Sequence, residues 1–146
     1  MGRDCPNAID PARHPQRRRP GNYLLFLGRM GRDKGAHRAI AVAMEARIPL
    51  GLAAKCREPE EIAYFREFVE PHLGAEIEYL GEVTQEEKVE LLKGARATLF
   101  PIAWGEPFGL VMIESMACGT PVIATRYGAV PEVIEHGRTG IIVDDY

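Results

Sequence analysis

Short apolar runs alternate with helical patterns along most of the chain. The first run, residues 23–27, is apolar on both faces, which predicts a buried parallel strand. Helical signals follow: Pro59 opens one helix, Thr84 and Glu87 form the capping pair of another, and Gly119 closes a third. Later strands are predicted at residues 50–54, 77–80, 97–102, 121–124 and 141–143.

This alternation predicts an α/β fold, a doubly wound parallel sheet of Rossmann-like type. Helices are expected at residues 34–46, 84–94, 107–119 and 131–135, with a further helix beginning at Pro59. Right-handed crossovers bring the loops that follow the strands to one edge of such a sheet, and ligands bind at that edge where the strand order reverses. The loops after residues 27, 54, 80, 102 and 124 are therefore expected to hold the ligand-binding residues.

Charge and composition argue against several classes of partner. The 146 residues carry a net charge of -3, which does not favour a nucleic-acid-binding surface, and no apolar run approaches the roughly 20 residues of a membrane span. Residues 1–21 are rich in Pro and Arg, so we expect a linker or mobile arm there and one domain over residues 22–146. The polar start predicts no signal peptide, hence a cytoplasmic location, with peripheral membrane contact at most in a longer enzyme.

The loop after the first strand concentrates positive charge beside a helix start. It runs from Gly28 to Gly35, and Arg29 and Lys34 lie in it. Gly28 is expected to turn the backbone sharply off the strand. Two cations beside the positive end of a helix suit a diphosphate, although solvated basic residues in a loop would give the same pattern.

A second segment places two carboxylates around an apolar helix. Glu106 precedes this helix and Glu114 lies within it, roughly 12 Å further along at about 1.5 Å per residue. That span suits a nucleotide-sugar, because a carboxylate accepts hydrogen bonds from two vicinal hydroxyls. The backbone N–H groups of Phe108, Gly109 and Leu110 are expected to face phosphate.

Each carboxylate also has a purely structural interpretation. Glu106 is placed to act as a favourable charge at a helix N-terminus. The helix around Glu114 is apolar nearly all round, so it is expected to be buried, and a buried carboxylate needs a partner or a ligand. Arg29 or Lys34 would be that partner if Glu114 forms only a buried ion pair.

Four ordered motifs together resemble the retaining glycosyltransferases of family 4, which have the GT-B fold. Residues 28–35 resemble the family's GR-x4-KG motif, and Glu106 to Glu114 resembles its Glu-x7-Glu motif. Residues 117–124 and 128–134 match in order and spacing. In addition to these four motifs, residues 7–10 resemble the NGID of the interdomain linker, with Ala8 in place of the Gly.

The resemblance implies a role for each matched residue. Arg29 and Lys34 would bind the donor diphosphate and stabilise the leaving group, Glu106 would hold the sugar, and Glu114 would hold the ribose. The reaction would keep the anomeric configuration. No metal or other cofactor is implied, since the two cations and the helix end would replace it.

The resemblance also implies a second, amino-terminal domain that binds a sugar or lipid acceptor, and no segment here matches it. We therefore expect a donor-binding domain that is inactive alone, with the stop at Tyr146 as a truncation point. Two alternatives stay open. One is a non-catalytic module that binds a nucleotide or phosphosugar, and the other is a fragment of a GT-B epimerase or phosphorylase.

Overall fold

A computed structural model of the protein describes residues 21–103 and 109–144, and within them it forms one parallel sheet flanked by helices. Six strands lie in the order β3-β2-β1-β4-β5-β6, and every pairing is parallel. The strands are β1 (Leu24–Arg29), β2 (Leu50–Lys55), β3 (Ile77–Tyr79), β4 (Ala97–Phe100), β5 (Val122–Thr125) and β6 (Gly140–Val143). The predicted doubly wound α/β fold is confirmed.

Strand β1 lies at the centre of the sheet because both of its faces are apolar. Leu24 and Phe26 pack on one side against helix α1 (Ala36–Ala46), whereas Leu25 and Leu27 pack on the other side against helix α3 (Gln85–Gly94). All four side chains are buried. A strand covered on both faces is expected in a sheet of this class.

The remaining helices are α2 (Pro59–Tyr64), α4 (Leu110–Ala117) and α5 (Val130–Val133). Pro59 opens α2 as predicted, and the chain then continues through a π-helical segment, Phe65–Val69, which the sequence pattern did not reveal. The predicted capping box of α3 is present: Thr84 Oγ1 accepts a hydrogen bond from Glu87 N, and Glu87 Oε1 accepts one from Thr84 N.

Strands β1 and β4 end at other residues than predicted. Strand β4 ends at Phe100 rather than at Ile102. Strand β1 does not stop at Gly28 but continues to Arg29, because Gly28 and Arg29 still pair with Ala54 and Lys55 of β2. Met30 N then donates to Lys55 O at 2.9 Å. Arg29 is therefore placed by the sheet itself rather than by the loop that follows it.

The predicted arm lies almost entirely outside the described residues, since residues 1–20 are not among them. Gly21 is described, and its N–H donates to Gly94 O at 2.7 Å. Within the part of the chain that the structure describes, no helix combines the length and apolar character needed to cross a bilayer.

Candidate functional site

The strand order reverses between β1 and β4, and a cavity lies at this point on the carboxyl edge of the sheet. This β1–β4 cavity has a volume of about 300 Å³. Its lining comprises Leu27, Gly28, Lys34, Phe100, Gly109, Leu110 and Val111. The fold thus brings the two predicted loops, which are far apart in sequence, to the two sides of one cavity, as expected for an open α/β sheet.

Gly109 begins helix α4 in a conformation that admits few other residues. Its φ of 67° lies in the left-handed region, and a Cβ atom here would collide with the Met112 side chain. Gly109 also lies in the cavity lining, followed by Leu110 as the first residue of the helix. The start of α4 therefore faces the cavity, where the end of a helix favours negative charge.

Lys34 lines the same cavity and precedes the start of helix α1. Gly35, the residue before that helix, has a φ of 84°, and a Cβ atom on it would collide with the carbonyl oxygen of Pro101. Two hydrogen bonds tie the loop to the segment after β4: Arg38 Nη1 donates to Pro101 O at 2.7 Å, and Ala103 N donates to Asp33 O at 3.0 Å. The lysine loop is thereby fixed against β4.

Arg29 is held by two carboxylates. Its Nη2 lies 3.2 Å from Oδ2 of Asp33, and its Nε lies 3.6 Å from Oε2 of Glu61. The Arg29 side chain keeps 41% of its surface exposed, so part of this side chain still faces solvent. Arg29 is not part of the β1–β4 cavity lining, although it directly follows Gly28, which is.

Glu61 is a buried acid that the sequence motifs did not reveal. Its side chain is 9% exposed, and its Oε1 accepts hydrogen bonds from the N–H groups of Arg57 and Glu58 at 2.8 and 3.0 Å. Burial alone would raise the pKa of Glu61, but these two hydrogen bonds, with the charges of Lys55 and Arg29, bring the pKa below its ordinary value. The position of Glu61 two residues after Pro59 was the available signal, since acids are favoured in a first helical turn.

A histidine and a tyrosine join the start of α1 to α2. The hydroxyl of Tyr64 accepts a hydrogen bond from His37 N at 2.9 Å and lies 2.6 Å from His37 Nδ1. Burial lowers the pKa of His37, and the positive charges of Arg38 and Arg32 lower it further. A neutral imidazole fits this geometry, because its unprotonated Nδ1 accepts a hydrogen bond from the Tyr64 hydroxyl, while the hydroxyl oxygen accepts one from the His37 backbone N–H.

Helix α4 is not buried all round, which corrects the expectation from its composition. Met112 and Ser115 are fully buried, whereas Leu110 and Ile113 are 66% and 48% exposed. The helix packs on the sheet through one side only. Glu114 accordingly keeps 31% of its side-chain surface exposed.

The partner of Glu114 is Lys88 of helix α3, and not Arg29 or Lys34 as considered from the sequence. Lys88 Nζ lies 3.0 Å from Oε2 and 3.3 Å from Oε1 of Glu114. Lys88 also lines a second cavity, of about 240 Å³, beside the ends of β1 and β2. We call it the β2–β3 cavity, because it lies between the end of β2 and the segment that follows β3. Its lining comprises Leu27, Gly28, Ala53, Ala54, Lys55, Glu82, Val83, Gln85, Lys88 and Val111.

The two cavities share Leu27, Gly28 and Val111. They therefore form adjoining spaces along the carboxyl edge, with Lys34 at one and Lys88 at the other. A third cavity, of about 500 Å³, lies at the opposite end of the sheet beside Arg47 and His72, and none of the predicted site residues lines it.

Two predicted site residues, Glu106 and Phe108, lie outside the described residues. Of the others, Gly28, Lys34, Gly109 and Leu110 come together around the β1–β4 cavity. Arg29 and Glu114 are described beside the two cavities, each with a charged partner. Across residues 21–103 and 109–144, no cluster of three or more His, Cys, Asp or Glu side chains is placed to hold a metal ion.

This topology and its cavities define a Rossmann-like α/β domain with a candidate anion site at the switch point. The family model described as "Glycosyl transferases group 1" matches residues 11–146. The chain therefore belongs to the group 1 glycosyltransferase family.

Individual relatives agree with this assignment. A D-inositol 3-phosphate glycosyltransferase of Pseudarthrobacter chlorophenolicus is 33% identical over an alignment of 135 residues, which covers 87% of this chain and 32% of the relative. The chain thus spans about a third of the length of the curated relatives that it matches.

Solved structures show the same fold. AviGT4, a glycosyltransferase involved in avilamycin A biosynthesis, is 31% identical with a TM-score of 0.71, over 95% of this chain and 43% of AviGT4. HepE of Anabaena, solved in complex with UDP and glucose, is 21% identical with a TM-score of 0.79, over 94% of this chain and 40% of HepE. At that identity, HepE is similar in fold.

Proposed function

We propose that this chain is the donor-binding domain of a retaining glycosyltransferase, which transfers a hexose from a nucleoside-diphosphate sugar when joined to an acceptor domain. The observation that carries the proposal is the β1–β4 cavity, where Lys34 and the start of α4 at Gly109 meet at the switch point. Membership of the group 1 family favours a transferase over an epimerase or a phosphorylase. A cytoplasmic location remains a prediction.

In this proposal the diphosphate lies between the two loops. Lys34 supplies a positive charge from one side, and the backbone N–H groups at the start of α4 supply hydrogen-bond donors from the other. Arg29, whose side chain is partly exposed, adds a second positive charge. These groups stabilise the negative charge that develops on the leaving diphosphate as the glycosidic bond breaks.

The two glutamates act on the two ends of the donor. Glu106 is proposed to hold hydroxyls of the transferred sugar, and Glu114 to hold the ribose hydroxyls. Glu114 is available for this because it is partly exposed and its Lys88 partner lines the β2–β3 cavity. The adjoining cavities then accommodate the diphosphate in one and the nucleoside in the other.

The reaction is proposed to proceed without a metal ion, because Lys34, Arg29 and the start of α4 provide the positive potential. The leaving phosphate would take the proton of the acceptor hydroxyl on the same face, which retains the anomeric configuration. The acceptor, a sugar or a lipid, would be positioned by the separate domain. Without that positioning we expect transfer by this chain alone to be negligible.

A nucleotide panel tests the donor-binding role. UDP, GDP and ADP, with their monophosphates, are titrated into the chain by calorimetry, and UDP comes first because the fold neighbour HepE was solved with it. We expect one diphosphate to bind, and to bind more tightly than its monophosphate, since the β-phosphate reaches Lys34. If no diphosphate binds at millimolar concentration, the proposal is wrong.

A second experiment tests transfer. The chain is assayed alone and after mixing with a separately expressed acceptor domain, with EDTA present in parallel reactions. We expect turnover only in the mixture, and equal turnover with EDTA. Robust transfer by the chain alone would contradict the requirement for two domains, and loss of turnover with EDTA would contradict the metal-free reaction.

A further inference from the structure

The two carboxylate oxygens of Glu61 contact different groups. Oε1 accepts hydrogen bonds from the backbone N–H groups of Arg57 and Glu58, at 2.8 and 3.0 Å. Oε2 lies 3.6 Å from Nε of Arg29, the last residue of β1. Because two backbone donors fix one oxygen and the side chain is only 9% exposed, the carboxylate has a fixed position. The other oxygen therefore presents a fixed negative charge to Arg29.

Helix capping accounts for only one of these two oxygens. Glu61 is the third residue of α2 and completes a capping box with Glu58 at the start of that helix. A capping box uses a single side-chain acceptor from its third residue, which here is Oε1. The lowered pKa of Glu61 keeps the carboxylate ionised at neutral pH, and a buried charge requires a compensating one. Arg29 provides that charge at Oε2.

The two carboxylates that contact Arg29 do not use its whole guanidinium. Glu61 lies at Nε, and Oδ2 of Asp33 lies 3.2 Å from Nη2. Neither of these contacts involves Nη1. A guanidinium has five N–H groups, two of them on Nη1 and two on Nη2, and the pair of outer nitrogens can bind a phosphate group with two parallel hydrogen bonds. The observed ion pairs are therefore compatible with an anion bound at the outer end of Arg29.

Arg29 lies next to residues that line both cavities. Its neighbour Gly28 lines both of them, and Lys55, which is opposite Arg29 in the register of β1 and β2, lines the β2–β3 cavity. Lys34, which follows in the same loop, lines the β1–β4 cavity. The end of β1 is thus where the two cavities adjoin, and a diphosphate that extends from one to the other passes this strand end.

We propose that Glu61 is a positioning residue for diphosphate recognition, which holds the guanidinium of Arg29 in the orientation that binds the donor diphosphate. The inference deepens the proposed function and rests on the diphosphate-binding role of Arg29. Glu61 acts through Arg29 and needs no contact of its own with the nucleotide. Loss of a negative charge near an anion site strengthens anion binding by Coulomb's law alone, whereas loss of positioning weakens it.

The direction of the change in affinity is the test. Calorimetry is run with UDP, GDP and ADP on wild type, Glu61→Gln, Arg29→Ala and the double variant, after melting curves have shown that each is folded. An amide has one acceptor oxygen, so Glu61→Gln cannot serve both the backbone N–H groups and Arg29. For the nucleotide that binds, we expect Glu61→Gln to weaken binding about 2- to 5-fold, as for loss of a partly exposed ion pair. In the Arg29→Ala background, the same substitution should cause no further loss.

Glu58→Gln is the matched control, because it removes the same charge from the same capping box while both carboxylates that contact Arg29 stay in place. It should leave the affinity unchanged or slightly higher. If Glu61→Gln does not fold, Glu61→Asp replaces it, since this variant keeps the charge but is one methylene too short to reach both partners. The same loss of affinity is then expected.

Three results would overturn the positioning role while wild-type binding upholds the proposed function. These are unchanged or tighter binding in the Glu61 variant, an equal loss in Glu58→Gln, and wild-type affinity in Arg29→Ala. If the wild type binds no nucleoside diphosphate, the proposed function fails and the positioning role fails with it.

Discussion

The Nε atom of Arg29 lies 3.6 Å from Oε2 of Glu61, which places the last residue of β1 against the start of α2. The other oxygen of Glu61 is already bonded to two backbone N–H groups, so this carboxylate has a fixed position. Asp33 holds a second nitrogen of the guanidinium, since its Oδ2 lies 3.2 Å from Nη2 of Arg29. Arg29 is thus oriented before any ligand arrives, which reduces the entropy lost when an anion binds.

The first prediction concerns Arg29 and Lys34, the two cationic residues at the carboxyl edge of the sheet. Arg29→Ala and Lys34→Ala should each weaken nucleoside-diphosphate binding by roughly 1.5–3 kcal/mol, the range for hydrogen bonds to charged groups. Arg138→Ala is the control, since Arg138 pairs with Glu135 on an exposed turn away from both cavities. The measurement is calorimetric titration after melting curves have shown that each variant is folded. Equal affinity in wild type and both variants would rule out a diphosphate at this position.

The second prediction concerns acid stability. The folded pKa of Glu61 lies below the ordinary value of 4.5, so the folded state binds this proton less readily than the unfolded state. Glu61 therefore contributes stability above about pH 4.5, and that contribution is lost as the pH falls through the lowered pKa. Glu61→Gln should reduce the free energy of unfolding near neutral pH.

The difference in free energy of unfolding between wild type and Glu61→Gln should then shrink as the pH falls below 4.5. Denaturant unfolding of both proteins across this range measures it. Glu90→Gln is the control, since Glu90 is highly exposed and should give no such trend. A difference that stays constant down to the lowest pH would show that the charge of Glu61 does not stabilise the fold.

The sheet could be predicted from sequence because its signals are local. Residues 23–27 are apolar on both faces, and Thr84 with Glu87 marks a helix start regardless of what surrounds it. The partner of Glu114 could not be predicted in this way. It comes from residue 88, and only the packing of α3 beside α4 on one face of the sheet brings the two together.

The exposure of α4 could not be predicted from local sequence signals either. Leu110 and Ile113 are as apolar as the buried Met112, so composition alone assigns all three to the core. Which side of a helix meets the sheet depends on the rotation of the helix about its axis. In α4, Gly109 at the start of the helix has a left-handed backbone conformation, and the buried Ser115 forms hydrogen bonds with Thr98 and Thr120. Both features occur together with the rotation observed for this helix.

The third prediction concerns stability near pH 6.5. The pKa of His37 is lowered below its ordinary value of 6.5, so the unfolded chain takes up a proton that the folded chain excludes. The contribution of His37 to stability is therefore complete above about pH 6.5 and declines as the pH falls below that value. His37→Phe should remove this component and flatten the dependence of the free energy of unfolding on pH.

The comparison is made by denaturant unfolding of wild type and His37→Phe at several pH values from about one unit above to about one unit below 6.5. Tyr64→Phe separates the hydrogen bond from the burial effect, because it removes only the hydroxyl that His37 Nδ1 contacts. Parallel curves for wild type and His37→Phe would show that His37 does not couple folding to protonation.

The last prediction separates Glu114 from Glu106. Because a nucleoside diphosphate contains ribose but no transferred sugar, Glu114→Gln should weaken its binding, whereas Glu106→Gln should leave it nearly intact. The defect of Glu106→Gln should appear only with the intact nucleotide-sugar or in transfer by the reconstituted enzyme. Since the Lys88–Glu114 pair is partly exposed, Glu114→Gln should cost about 0.2–1 kcal/mol of stability without ligand, not the 3–5 kcal/mol of a broken buried pair.

Matched melting curves without ligand, together with titrations of UDP, GDP and ADP into both variants, decide between the roles. A large loss of stability in Glu114→Gln with unchanged nucleotide affinity would make this glutamate a structural residue of the α3–α4 contact. Loss of diphosphate binding in Glu106→Gln alone would reverse the two assignments, because the carboxylate before α4 would then hold the nucleotide rather than the sugar. The pattern we expect places the ribose on the side of α4 that faces Lys88, and the transferred sugar at the opposite end of the diphosphate.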